Sequence, residues 1–280
     1  MGNKSITIKK FNGDLEEFDI EKLKTSLRRS NASESEIKEV TKNIIPTLYD
    51  GIPSKVIYKK AFSILKKRNR TTASKYSLKR AILDLGPTGF PFERLIGSLL
   101  SHYGYKTQVS VILEGECVSH EVDVLAEKDG KTYAVECKFH TDFRNTSSVK
   151  VPLYINSRFL DIQRKWNSDA SKNSHLKQGW LITNTRFTTD AIKYGECVGL
   201  HLMGWDYPEE NGLKQNVDKY ALYPITTLTT LKKHEKNKII ENQVILTKDL
   251  YESSHLLDEI GLSTLRKNRV LDEIKSLCNL

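Results

Sequence analysis

The sequence predicts a mixed α/β fold in which a helical unit precedes an α/β sandwich and a helical tail follows it. Apolar residues recur at helical spacing through most of residues 20–84 and in two stretches of 226–280. Between these regions, three runs of alternating apolar and polar residues are typical of neighbouring strands. Helical and strand-like segments then alternate, which favours a sandwich with a mixed sheet.

The first unit, residues 1–85, is predicted to be a β-hairpin followed by four helices. Residues 5–11 alternate as a short strand does, Asn12-Gly13 is a strong turn signal, and residues 15–18 form the returning strand. Polar residues that can accept backbone hydrogen bonds precede the helical patterns. The predicted helices span 20–30 (capped by Asp19), 34–49, 55–68 (capped by Ser54) and 72–84.

Gly86-Pro87-Thr88-Gly89 interrupts these patterns and predicts the start of a second domain, residues 86–225. Its elements are predicted as a helix from Pro91, strands at 105–113, 119–127 and 131–139, a helix at 155–167, a strand at 179–183, a helix at 188–196 and a strand at 199–204. Residues 226–280 are predicted to be a helical C-terminal element, in which two or three helices follow a short extended piece, and no motif indicates what it does.

Positive charge is concentrated at the beginning of the chain. The 280 residues carry a net charge of +9, and residues 1–85 alone account for +9, whereas residues 86–200 sum to +1. A basic unit of this size is typical of proteins that bind phosphate, in a nucleotide or in nucleic acid. A basic surface that is merely solvated explains the composition equally well.

Composition also excludes several classes of protein. The longest apolar runs fall far short of the ~20 residues that span a bilayer. The first residues lack the apolar block of a signal peptide, and the 4 cysteines include no closely spaced pair. We therefore expect a cytoplasmic protein without a membrane partner, a disulfide framework or a cysteine-based zinc site.

Residues 119–140 carry the pattern that is most informative about chemistry. Asp129-Gly130 is a typical two-residue turn, and alternating runs flank it on both sides. If the strands pair directly across that turn, Asp123 lies opposite Glu136, and opposed residues share a face of the sheet.

A cation is expected beside these carboxylates. Lys138 shares the face of Glu136 because side chains alternate along a strand, and the same pairing sets Glu121 opposite Lys138. Two close carboxylates repel each other unless a cation lies between them, and Mg²⁺ (or Mn²⁺) prefers oxygen ligands. Asp123, Glu136 and the Cys137 carbonyl are the predicted metal ligands, while Lys138 would position or activate an attacking water.

The spacing of Asp123 from Glu136-Cys137-Lys138 resembles the signature of the PD-(D/E)xK nucleases. In particular, it is similar to the catalytic domain of Mrr-type restriction endonucleases. This resemblance implies a restriction-endonuclease-like fold and a metal-dependent endonuclease that hydrolyses DNA phosphodiester bonds.

The resemblance extends over about residues 86–210. Residues 89–105 resemble the first helix of that family, whose glutamate contributes to the active site, and Glu93 stands at this position. Residues 181–206 resemble its later strand–helix–strand segment, and Gln163 matches a position that is often polar. Glu93 thus joins the predicted catalytic residues by resemblance.

The N-terminal unit resembles the ATP-cone, a regulatory nucleotide-binding module best known from ribonucleotide reductases. The sequences ITIKKFNGDLEEFDIEKLKTSL at 6–27 and YDGIPSKVI at 49–57 carry the likeness. It implies ATP or dATP as a regulatory ligand. The residues matched by position are Lys9 and Lys10, which would contact phosphates, Glu16, Asp19 and Lys22, which would lie near the nucleotide, and Ser54, which replaces a common hydroxyl residue.

Together these patterns predict a Mg²⁺-dependent DNA endonuclease of restriction type that nucleotide binding regulates, with a homodimer as a further expectation. Two alternatives remain at this point: a nucleotide-sensing DNA-binding protein with an inactive nuclease fold, and a repair nuclease that acts on branched DNA. His120 is expected to have a structural or phosphate-contacting role, and His140 is expected on the surface.

Overall fold

The computed structural model of this chain describes residues 6–10 and 13–280. It has a mixed α/β fold with a mixed central sheet and a helical C-terminal region, so the predicted fold class is confirmed. Across the described residues, no helix is both long enough and apolar enough to cross a membrane.

A small sheet opens the N-terminal unit. Strand β1 (Thr7–Lys9) pairs antiparallel with β2 (Leu15–Glu17), as the hairpin pattern predicts. Residues 5 and 11 of the predicted strand and residue 12 of the predicted turn lie outside the described part. A third strand, β3 (Ile52–Pro53), runs parallel to β1. The sequence analysis missed β3 because two residues are too few to display a period.

Three helices cover this sheet and enclose a core of their own. They are α1 (Ile20–Arg28), α2 (Glu34–Ile44) and α3 (Ser54–Arg68). Helix α2 is shorter than predicted because a 3₁₀ turn containing a proline follows it. The residues buried between the three helices include Leu23, Leu27, Ile37, Val40, Ile44, Ile57, Ala61 and Leu65.

The predicted fourth helix is two helices, α4 (Arg70–Tyr76) and α5 (Leu78–Leu83). They meet at Ser77, whose backbone leaves the helical region and whose hydroxyl donates to the Ser74 carbonyl at 3.1 Å. The break redirects the chain from one core to another. Ala73 packs with α1–α3, whereas three apolar residues from Leu78 onward pack with the central sheet and the C-terminal helices.

The central sheet has five strands. The three antiparallel strands are neighbours in sequence, and the two parallel ones extend the sheet beyond the last of them. In chain order they are β4 (Lys106–Glu114), β5 (Ser119–Lys128), β6 (Lys131–Lys138), β8 (His175–Thr183) and β10 (His201–Met203), arranged as β10-β8-β6-β5-β4. A separate parallel pair is formed by β7 (Thr146–Ser147) and β9 (Arg186–Phe187).

Helices cover both faces of the central sheet. Helix α6 (Phe90–His102) packs on one face, and α7 (Lys150–Ser168) and α8 (Thr189–Cys197) pack on the other. Neighbouring residues of one strand accordingly enter different cores, since Ala134 contacts the α7 side and Val135 the α6 side. Helix α7 thereby lies on the face that also carries Glu136.

Five further helices follow the sheet, and four of them lie within residues 226–280, for which the sequence predicts two or three helices. They are α9 (Leu213–Tyr220), α10 (Lys233–Glu241), α11 (Thr247–Glu252), α12 (Leu256–Glu259) and α13 (Thr264–Cys278). Their buried residues belong to the same core as α5, α6 and the sheet. The predicted divisions after residues 85 and 225 therefore do not coincide with separate hydrophobic cores.

Candidate active site

The β5–β6 hairpin brings two carboxylates to one end of the central sheet. Its turn, Asp129-Gly130, has positive φ at both residues (52° and 67°), which suits the right-handed twist of paired strands. The backbone pairs run from the turn as far as Val124 and Val135. Asp123 and Glu136 come next, so the pairing agrees with the predicted juxtaposition.

Beyond Val124 and Val135, a side chain takes the place of backbone pairing between β5 and β6. The Asp123 carboxylate accepts the Cys137 backbone N–H at 2.6 Å. The carboxylate thereby accepts a backbone N–H that has no partner on the neighbouring strand β5, and this hydrogen bond fixes the orientation of the Asp123 side chain. The Cys137 side chain packs against the α6 side of the sheet, and burial raises the pKa of its thiol.

Helix α6 contributes a third carboxylate, that of Glu93, in its first turn. A Cβ atom at Gly89 would lie only 3.0 Å from Glu93 Oε1, so glycine leaves room for the carboxylate there. Burial, followed by the negative charges of Asp123 and Glu121, raises the pKa of Glu93 to about 7. These charge effects indicate that Glu93 faces the same acidic region as the hairpin.

The carboxylates of the hairpin are electrostatically strained. Burial, and then repulsion from Asp123, raises the pKa of Glu136 to about 8 despite the opposing effect of Arg158. Burial also raises the pKa of Asp123, against the Cys137 N–H and Arg158. Acidic groups this close favour either a proton or an added cation.

Arg158 of α7 also belongs to this site, and no pattern in the sequence predicts it there. Its guanidinium pairs with Glu136 at 2.8 Å, donates to the Glu121 carbonyl and lies over the Tyr154 ring at 5.4 Å. Both partners of the ion pair are largely buried, with side-chain exposures of 17% and 15%. Nothing in the local sequence identifies this arginine, because its partner depends on how α7 packs on the sheet.

Lys138 ends β6 and is exposed, two residues beyond Glu136 on the same side of the strand. Its carbonyl accepts the buried Thr183 hydroxyl at 2.7 Å, which holds the end of β6 beside β8. The backbone pairs between β5 and β6 end at Val124 and Val135, so the predicted pairing of Glu121 with Lys138 is not formed. The Glu121 carboxylate instead accepts the Ser110 hydroxyl of β4 at 2.8 Å.

The acidic region contains oxygen donors suited to a hard divalent cation. Asp123, Glu136 and the Cys137 carbonyl are the predicted ligands, and all three offer oxygen. Within residues 6–10 and 13–280, however, no three His, Cys, Asp or Glu side chains converge closely enough to hold a metal ion in this conformation. A cation bound here would therefore rely on two carboxylates, a backbone carbonyl and water.

The two histidines near the site have structural contacts. His120 Nε2 lies 2.7 Å from Asp161, and this hydrogen bond lowers the pKa of Asp161 to about 2. His140 is half-buried rather than on the surface, because its Nε2 lies 3.0 Å from the buried Ser147 hydroxyl. Gln163 donates to the Leu176 carbonyl at 2.9 Å and thus links α7 to β8.

The N-terminal unit brings together part of the predicted nucleotide site. A cavity of about 180 Å³ is lined in part by Glu16, Asp19, Lys22 and Ser54. Lys9 and Lys10 do not line it, and both are exposed, although Lys10 forms an ion pair with Glu16. Lys22 forms a second ion pair with Glu16.

Two of these residues also shape the helices. The Asp19 carboxylate accepts the Glu21 N–H at 2.8 Å and caps α1, as predicted. The predicted cap by Ser54 is wrong: Ser54 is the first residue of α3, Pro53 precedes it at the capping position, and no side chain caps that end. Pro53 sets the chain direction there without a polar cap.

Three comparisons place the chain among known proteins. A family model described as AF1548-like, C-terminal, matches residues 223–278. An uncharacterized protein of Archaeoglobus fulgidus is 36% identical over 180 residues, which are 64% of this chain and 97% of that protein. The crystal structure of a protein of unknown function, AF1548, matches with a TM-score of 0.56 and 33% identity, over 69% of this chain and 99% of that chain.

Proposed function

Because this chain belongs to the AF1548-like family, whose members named above have no assigned activity, we propose its function from the acidic site itself. The chain is a Mg²⁺-dependent DNA endonuclease of restriction type, and its N-terminal unit binds ATP or dATP as a regulator. It works in the cytoplasm on a DNA partner, and double-strand cutting with one site per chain favours a homodimer.

The observation that carries this proposal is the position of Asp123 and Glu136 on neighbouring strands, one residue beyond the last backbone pair of the hairpin. Burial raises the pKa of both carboxylates, and the two groups repel each other. Such a site is costly unless it binds a cation, so its presence supports a binding role over a purely structural one.

Each residue of the candidate site has its own role in the proposed hydrolysis. Asp123, Glu136 and the Cys137 carbonyl would hold the metal, which supplies a lower pKa for a bound water and positive charge beside the phosphate. Lys138 orients the attacking water from the exposed end of β6. Glu93 supports that water from the first turn of α6. Water adds to phosphorus, the bond to the leaving oxygen breaks, and the leaving oxygen takes up a proton.

Nucleotide regulation rests on the N-terminal cavity. Glu16, Asp19, Lys22 and Ser54 share its wall, and Glu16 bridges Lys10 and Lys22. A phosphate that competes with Glu16 for these two ammonium groups would break both ion pairs at once. This exchange gives nucleotide binding a direct effect on the position of the hairpin relative to α1.

Incubation of supercoiled plasmid with the purified protein tests the nuclease function. We expect nicked or linear product with Mg²⁺, none with EDTA, and an altered rate with ATP. Lys138→Ala should reduce the rate by at least about 100-fold, as loss of a group that acts on the transition state does. Lys131→Ala is the matched control, because Lys131 is exposed at the other end of the same strand.

Cleavage that is equal in the Lys138 and Lys131 variants would contradict the assignment of Lys138. Metal-independent cleavage, or no cleavage of any plasmid, would contradict the nuclease function.

One observation favours the rival function of a DNA-binding protein with an inactive nuclease fold. Arg158 already pairs with Glu136 and supplies the positive charge that a metal would bring. Under this rival, the protein binds DNA with equal affinity in Mg²⁺ and EDTA and leaves the plasmid intact. A gel-shift measurement beside the cleavage assay separates the two functions.

A further inference from the structure

A basic, aromatic trough lies between the N-terminal helices and the segment that follows β6. It encloses about 580 Å³, and its wall includes Tyr58, Lys55 and Lys59 of α3, Lys79 and Arg80 of α5, and Phe143. A second cavity of about 630 Å³ adjoins it and shares Tyr58, Tyr76 and Lys79. The wall of this second cavity also carries the carboxylates of Asp19 and Glu21, which five cationic side chains outnumber. The two cavities together form the trough.

The smaller cavity has the charge of an anion site. Its eight lining residues comprise four cationic side chains, three aromatic rings and one hydroxyl, without a carboxylate. Lys79 is half-buried and forms no ion pair within 4 Å among the described residues, and burial lowers the pKa of its ammonium group against the opposing charge of Asp206. Arg80 already pairs with Asp84 at 3.0 Å. A half-buried ammonium group without a close ion pair is only partly compensated, so a bound anion would stabilise Lys79.

The aromatic rings supply flat apolar surface beside these charges. Tyr58 and Tyr76 stack with ring centroids 5.2 Å apart and planes inclined by 16°. The Lys79 ammonium lies 5.8 Å from the Phe143 ring centre and 5.4 Å from that of Trp205. Cations interleaved with aromatic rings suit a ligand that alternates phosphates with planar bases.

We propose that the trough binds a single strand of nucleic acid. Its phosphates lie against Lys55, Lys59 and Lys79, and its bases lie against the aromatic wall. Each cavity has the size of a small-ligand site, and the two follow one another through a shared wall, as successive nucleotides do. A duplex is excluded because its bases are stacked within the helix and cannot reach the rings.

One residue of the trough wall, Phe143, belongs to the segment that follows the candidate active site in the chain. Phe143 lies five residues after Lys138, in the segment that leaves the end of β6. A strand in the trough therefore runs beside the segment that connects to the acidic site. This part of the inference rests on the proposed nuclease function, whereas binding itself does not.

Fluorescence anisotropy with a labelled oligothymidylate of about 12 nucleotides tests the binding. It is measured on the full chain in EDTA, so that cleavage cannot interfere. The double variant Lys55→Ala, Lys59→Ala should bind at least about tenfold more weakly. Its salt dependence should fall by about 1.4 in log–log slope, since each lost phosphate contact removes about 0.7.

The matched control is Lys38→Ala, Lys42→Ala, which removes two exposed lysines from α2 of the same unit but outside the trough. It should bind like the unaltered chain. Phe143→Leu tests the aromatic wall, and we expect about tenfold weaker binding with an unchanged salt slope, because stacking is lost and charge is kept.

Two results would overturn the inference. Either the trough and control variants bind the strand equally, or the trough variant loses as much affinity for a duplex of the same length as for the single strand. Strand binding that survives in a protein without cleavage activity refutes the proposed nuclease alone. Cleavage without strand binding in the trough refutes this inference alone.

Discussion

At the residue scale, the burial of the Glu136 carboxylate lowers the stability of the candidate site when that carboxylate is charged. It lies between Asp123, which repels it, and Arg158, which pairs with it at 2.8 Å, and it is largely buried. Burial has the largest effect on the pKa of Glu136 and raises it, so the protonated form of this carboxyl group is favoured in the folded protein. In the absence of its proposed cation, the site is therefore most stable when Glu136 carries a proton.

This charge state predicts a pH dependence of stability. The pKa of Glu136 rises from its usual 4.5 to about 8, so its contribution is fully present below pH about 4.5 and is lost as the pH rises through about 8. In EDTA, the Tm of the unaltered protein should fall over this range by at least about 2 °C more than that of Glu136→Gln. Differential scanning calorimetry at several pH values measures the difference.

Glu127→Gln is the control, since Glu127 is exposed on the same hairpin. It should retain the pH dependence of the unaltered chain. Identical pH profiles for the Glu136 variant and the unaltered protein would contradict the assignment.

The sequence predicted the carboxylates of this site but missed their arginine. The approach of Asp123 to Glu136 follows from a two-residue turn and a period of two, which are local rules. Arg158 depends instead on the angle at which α7 packs on the sheet. The prediction that His140 lies on the surface is wrong for a similar reason. Its contact with the Ser147 hydroxyl depends on the position of β7, which pairs with β9, and no local pattern predicts that pair.

At the element scale, the β5–β6 hairpin depends on a side chain for part of its closure. Asp123 accepts the Cys137 N–H where backbone pairing ends. The hairpin is thus held by its turn at one end and by a carboxylate at the other. A substitution at Asp123 affects both the chemistry and the geometry of the strands.

Two substitutions separate these effects. Asp123→Ala leaves the buried Cys137 N–H without its acceptor, so we expect the free energy of unfolding to fall by about 1–3 kcal/mol. Asp123→Asn keeps an acceptor and removes a charge that repels Glu136, so we expect a loss below about 1 kcal/mol. Urea denaturation at pH about 8 in EDTA measures both values, and equal losses would show that the hydrogen bond contributes little.

Long periodic elements were predicted well, and their ends and breaks were not. Strands β4, β5 and β6 lie within one residue of their predicted bounds, because alternation and a turn define them. Helix α7 begins at Lys150, five residues before the predicted start, since Pro152 near its beginning is tolerated in the first turn. The break between α4 and α5 was missed because Ser77 interrupts no apolar stripe.

At the scale of the whole molecule, α4 and α5 join the two halves of the chain. The Glu273 carboxylate of α13 accepts hydrogen bonds from the Ser74 hydroxyl and from the backbone N–H groups of Thr229 and Thr230. Glu273 is 6% exposed, so these donors satisfy a buried charge. The N-terminal and C-terminal parts of the chain are thereby connected through α4 and α13.

This connection predicts how the chain can be shortened. A fragment that begins at residue 86 loses Leu78, Ile82 and Leu85, which are 0%, 1% and 2% exposed. Burial of each is worth about 1.5–3 kcal/mol, and the sum rivals the stability of a typical domain. We expect this fragment to aggregate, whereas a fragment that begins at residue 70 retains the core and stays folded.

Far-UV circular dichroism and gel filtration compare the two fragments. A folded, monodisperse fragment from residue 86 would contradict this expectation and favour the boundary that the glycine-rich break predicts. Failure of both fragments would show that α1–α3 are also required.

The shared helix pair has a consequence for the ancestry of such chains. Gene recombination that exchanged the front unit at Gly86 would strip side chains from the large core, and the product would be lost to selection before any change of activity could matter. Asn69, which ends α3 and caps α4, is the junction at which a new front unit leaves that core intact. Natural fusions and deliberate chimeras of this family are therefore expected to carry α4 and α5 with the sheet domain.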